Sequence, residues 1–178
     1  MKAMLKLALL LTGVAALAAI IPAAALANDR EADLVQFKGG IGVDPVSNVT
    51  VSGGTTTASA NIVRGVSPPG QIWVIRDLDA KVDTYGHIRV HGTGLLLAGG
   101  NGIGTAAGLS VFATLFCGPA ATATASSSSA AGVALDVDGD FSIDDTLSPL
   151  PPNSCVDPVL LIRATIGSNP WFAAGIVR

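Results

Sequence analysis

Glutamate, cysteine, histidine and aromatic residues are all scarce in this chain of 178 residues, and each shortage narrows what the protein can be. A single glutamate, Glu31, among many glycines, alanines, serines and threonines is a poor composition for long helices and a good one for short strands and turns. Two cysteines, Cys117 and Cys155, have no further Cys or His close by in sequence to complete a metal site. Eight aromatic residues leave little for a stacking platform once a core is filled. No Gly-x-Ser-x-Gly, His-Glu-x-x-His or Cys–His arrangement occurs, and the serines cluster in low-complexity sequence.

What is present begins with an export signal. Lys2 and Lys6 precede an apolar run from Leu7 to Ile21, then Pro22 and the small residues Ala23-Ala24-Ala25-Leu26-Ala27. A basic start, an apolar centre and an Ala-x-Ala end predict a helical secretory signal cut between Ala27 and Asn28. The apolar centre is shorter than the roughly 20 residues of a spanning helix, so no transmembrane anchor is expected. The segment has no twin-Arg pair and no cysteine near the cut, which favours general secretion. The expected product is one soluble domain over residues 28–178, secreted or periplasmic.

Cleavage takes two lysines and no acid, so ten basic residues become eight against thirteen acidic ones, a formal net charge of −5. That balance argues against nucleic acid and anionic lipid as partners. In an oxidising compartment Cys117 and Cys155 are expected to pair. Their 38-residue separation gives about 4 kcal/mol of stabilisation in the chain-entropy picture.

The remaining pattern predicts an all-β antiparallel sandwich or barrel of about 8–10 short strands. Leu34–Phe37 starts it and Gly39-Gly40 breaks it, while Val46–Val51 alternates like a half-buried strand before Gly53-Gly54 turns the chain. Gln71–Val82 reads as one long strand with Ile72, Val74, Arg76, Leu78, Ala80 and Val82 on a single face. Asp83-Thr84-Tyr85-Gly86 turns it into His87–His91, the clearest hairpin. Gly92–Gly108 is glycine-rich and reads as a loop or close crossing, and Leu109–Cys117 reads as a strand. Val133-Leu135-Val137 and Phe141–Ile143 form a second predicted hairpin around Asp138-Gly139, with closing strands at Val159–Ile162 and Trp171–Val177.

Five patterns invite a chemical reading. Gly102-Ile103-Gly104-Thr105-Ala106-Ala107 mimics a dinucleotide fingerprint but lacks the strand–helix context. Asp136, Asp138 and Asp140 put carboxylates at alternate positions and make a calcium candidate, although the glycine stands fourth and Leu147 occupies the place of the bidentate glutamate. His87 and His91 are about 13 Å apart along a strand, too far to share one ion on a straight backbone. Asp77 and Asp79 have a separation an inverting glycosidase could use, as do any two alternate strand residues. Asn48-Val49-Thr50 is formally a glycosylation sequon.

The runs GLLLAGGNGIGT (from Gly94), SVFATLFCGPAATATA (from Ser110), DGDFSIDD (from Asp138) and WFAAGI (from Trp171) resemble a widespread group of uncharacterised secreted bacterial proteins. The resemblance spans about Gly70 to Arg178 and implies a stand-alone exported domain, with no activity or site residue to carry over. The expectation is therefore an exported non-enzymatic binding or structural module, its partner a glycan or cell-envelope component, with no required cofactor. The alternatives are a secreted hydrolase using Asp carboxylates and His87, and a calcium-stabilised adhesive module on Asp136–Asp145.

Overall fold

Glycine pairs, prolines and aspartate-capped turns cut the chain into short extended segments, which the computed structural model describes over residues 32–178. They are β1 (Asp33–Gly42), β2 (Val46–Ser52), β3 (Thr55–Ala60), β4 (Trp73–Val74), β5 (Asp77–Asp83), β6 (His87–Thr93) and β7 (Leu96–Leu97). After them come β8 (Ser110–Cys117), β9 (Thr124–Ser127), β10 (Val133–Ala134), β11 (Phe141–Thr146), β12 (Val159–Ala164) and β13 (Trp171–Val177). No helix occurs among the described residues, and the expected signal segment with its Ala27–Asn28 cut lies outside them.

Nine strands form one antiparallel sheet in the order β10-β8-β12-β13-β1-β5-β6-β11, with β9 also beside β8. The sheet coils until its ends meet. Ser127 and Ser148 form a β-bridge, and the Ser129 N–H donates to Asp145 Oδ2 at 2.7 Å. The result is a nearly closed barrel, which leaves few unpaired edges.

Period-2 alternation decides what faces inward. Leu78, Ala80 and Val82 of β5, Ile88 and Val90 of β6, and Phe141 and Ile143 of β11 are buried, while Asp79, Lys81, Arg89, His91, Ser142 and Asp144 point outward. The Asp83 turn forms as expected: its buried carboxylate accepts from the N–H groups of Tyr85 and His87, both at 2.9 Å. In β8 and β12, by contrast, successive residues are buried, so both sheet faces are covered there. The β4–β7 pair lies against β13, where Trp73 stacks on Phe172 with ring centroids 4.2 Å apart. One wall of the barrel is thus packed over, and the wall made by β5, β6 and β11 is open.

Cys117 and Cys155 are disulfide-bonded, with their Cα atoms 4.8 Å apart, and tie the proline-rich approach to β12 onto the end of β8. The covalent link agrees with the expected oxidising environment.

Several local expectations are corrected. Gly39-Gly40 makes a bulge between Phe37 and Gly40 and does not end β1. Gln71–Val82 is two strands: Trp73 is buried and Val74 exposed, yet Leu78 is buried, so the alternation slips a phase at Ile75-Arg76 as the chain passes from one small sheet to the main one. Leu96-Leu97, inside the glycine-rich stretch, is the strand that receives β4. Val133-Ala134 pairs with β8, so Val137 is a turn residue, 86% exposed. Val46–Val51 forms a strand, but every residue of it is exposed.

Candidate functional site

The antiparallel register lays the outward side chains of β1, β5, β6 and β11 in two rows. One runs Lys38, Asp79, His91, Ser142, and the next runs Gln36, Lys81, Arg89, Asp144. Neighbours in a row sit within reach of one another, as directly opposed strand residues do. The Lys38 ammonium donates to Asp79, and the Lys81 ammonium lies 2.6 Å from Asp33 Oδ1. His87 Nε2 stands 3.0 Å from Asp144 Oδ1, and Arg89 Nε lies 3.5 Å from Asp144 Oδ2. Together Asp79, Lys81, Arg89, His91, Ser142 and Asp144 line a shallow depression of about 200 Å³.

Two of these pairs shift a titrating group. The Lys81 ammonium beside Asp33 holds that carboxyl below its usual range, and the Asp79 carboxylate raises the Lys38 ammonium above its own. On β12, burial pushes the Arg163 guanidinium down, where it lies 5.2 Å from the centre of the Phe112 ring.

The candidate residues from the sequence fall in three places. His87, Asp77 and Asp79 share the open face, but His87 meets Asp144, while Asp79 stands across from His91, about 13 Å further along β6. Asp136 and Asp138 lie in a turn in which the Gly139 N–H donates to the Asp136 carbonyl at 2.9 Å and the Asp136 N–H to the Asp140 carbonyl at 3.1 Å. They are therefore not alternate residues of a strand. Asp140 turns inward, its Oδ1 accepting from the Gly94 N–H at 2.8 Å. Among the described residues no three His, Cys, Asp or Glu side chains stand close enough to hold a metal ion. Gly102–Ala107 forms turns beside β7, with the Gly104 N–H bonded to the Leu97 carbonyl at 2.8 Å.

Lys38, Lys81 and Ser142 escaped the sequence reading. Their signal was available only in the register: once β5 and β6 are paired through the Asp83–Gly86 turn, Lys81 opposes Arg89 and Asp79 opposes His91. No helix among the described residues is long and apolar enough to cross a membrane. Comparison with family models, with curated proteins and with solved structures gives no match for this chain.

Proposed function

We propose that this chain is an exported, non-catalytic β-barrel module that binds a polar ligand, a glycan or cell-envelope component, along the open face of β5, β6 and β11. The carrying observation is the pair of rows that gathers Lys81, Arg89 and His91 with Asp79, Asp144 and Ser142 over one shallow depression. Such a ladder repeats donors and acceptors about every 4.8 Å across strands and about 7 Å along them, a spacing suited to an extended polar polymer. The charges are paired with one another, so recognition rests on hydrogen bonds more than on net charge. The carboxylates are solvent-facing, whereas an acid catalyst working near neutral pH is usually raised by burial.

A hydrolase reading draws on one specific observation, the row Asp79, His91, Ser142, which holds the three residue types of a Ser-His-Asp triad. Against it, Asp79 is engaged by Lys38 and the depression is shallow.

One assay separates the readings. The purified chain over residues 28–178 is applied to a glycan array and to isolated envelope material, alone and with Arg89→Ala or His91→Ala. Retention of a defined glycan class, weakened by either change with folding intact, supports the module. Turnover of glycoside, ester or peptide substrates that is lost in Asp79→Ala or His91→Ala overturns it. Export is checked by the mass of the extracytoplasmic product, which should begin at Asn28.

A further inference from the structure

The β2–β3 hairpin departs from every other element in being exposed along its whole length. Gly53 and Gly54, with φ of 57° and 77°, make the two-residue turn that such a hairpin requires. The register opposes Val49 to Ala58, Thr50 to Thr57, Val51 to Thr56 and Ser52 to Thr55. One face therefore carries Val49, Val51, Thr56 and Ala58, and the other Asn48, Thr50, Ser52, Thr55, Thr57 and Ser59. At the root, the Asn61 amide donates to the Asp44 carbonyl at 2.9 Å, and the Trp171 indole N–H to the Asn61 carbonyl at 2.9 Å. The arm is thus fastened to the barrel at one end and, among the described residues, pairs with no third strand on either side.

An isolated two-stranded hairpin is marginal in water, and natural edges are usually guarded by charge, proline or bulges. Here no charged residue occurs between Asp44 and Arg64, no proline lies within either strand, and the one irregularity in the pairing sits at the root, between Val46 and Asn48. We infer that the outer edge of β2 pairs with the β2 edge of a second copy of this chain, joining two hairpins into a four-stranded antiparallel sheet. Two features favour a second copy as the occupant. Copies of a net-negative chain approach most readily through an uncharged surface, and this hairpin carries no charge and is exposed along its whole length. The edge is also self-complementary. With Ser52 and Thr55 flanking the turn, ladder alternation points the N–H and C=O groups of Val49 and Val51 outward. A two-fold axis at Thr50 then sets Val49 against Val51 of the other copy and Thr50 against Thr50, keeping both valine faces on one side.

Sedimentation velocity on the chain over residues 28–178, with Val49→Lys/Val51→Lys and a Thr50→Cys variant alongside, tests this. The inference expects a concentration-dependent dimer, a dissociation constant raised roughly tenfold or more by the lysines, and disulfide-linked dimer from Thr50→Cys far above that from Thr57→Cys. The cross-linking arm stands on its own if the lysine variant fails to fold. A monomer at every concentration overturns the inference. So does a dimer indifferent to the lysines, or one that cross-links no better at position 50 than at position 57.

Discussion

Phe141 on β11 lies directly across the ladder from Gly92 on β6, and its ring occupies the space a side chain at Gly92 would need. A Cβ placed there would stand 2.2 Å from the ring edge. The strand pair closest to the proposed binding face is thus built around one missing side chain, a known device for seating an aromatic on a sheet.

Gly92→Ala should accordingly cost about 1–3 kcal/mol, the range for overpacking a filled core. The penalty should shrink when Phe141→Leu is introduced in the same molecule, because the two residues share one space. Urea denaturation of the two single variants and the double variant checks the coupling.

The disulfide closes a 38-residue separation that includes β9, β10 and β11. Its removal by Cys117→Ala/Cys155→Ala should cost about 4 kcal/mol, a large share of the stability typical of a domain this size. Chemical denaturation with and without reductant provides the comparison.

Asp138 and Asp140 should behave differently. Asp140 accepts a backbone N–H from Gly94, so Asp140→Ala leaves that donor unpaired and should cost about 1–3 kcal/mol. Asp138 is exposed in the turn, and Asp138→Ala should lie within about 0.5 kcal/mol of the parent. With the carboxylates in these roles, the melting temperature should be the same in calcium and in chelator. A rise of several degrees in calcium, abolished by either substitution, would support the calcium-stabilised reading.

Two exposed ion pairs fix the direction of pH effects. The folded Asp33 carboxyl lies below its ordinary 3.8, so its contribution is complete above that value and is lost as pH falls through the lower folded value. Lys38 lies above its ordinary 10.5, so its contribution is complete below that value and is lost as pH rises through the higher folded value. Melting curves between pH 2 and 5, run with Asp33→Asn, should show a shallower acid limb in the variant. Because both pairs face solvent, about 0.5 M salt should shrink the difference.

The sequence exposed some of this architecture plainly and concealed the rest for physical reasons. Strict alternation on either side of the Asp83–Gly86 turn made β5, β6 and their inward faces legible. The slip at Ile75-Arg76 was hidden, since a change of sheet leaves the composition of a strand unaltered. The alternation of Val46–Val51 looked like half-burial because the pattern records two unlike faces, and only tertiary packing decides whether one is covered. The contact of His87 with Asp144 needed the β6–β11 register, which depends on where β11 enters the barrel and on no local signal.

The account turns on the open face, and co-sedimentation of the chain over residues 28–178 with isolated cell-envelope material tests it most directly. Lys81→Glu/Arg89→Glu reverses two of the face's cations, and Val49→Lys/Val51→Lys serves as a control far from it in the chain. The account predicts that the first variant, still folded at the assay temperature, loses most of its retention, while the control keeps it. Equal retention of the face variant and the parent would contradict the assignment of this face as the binding surface.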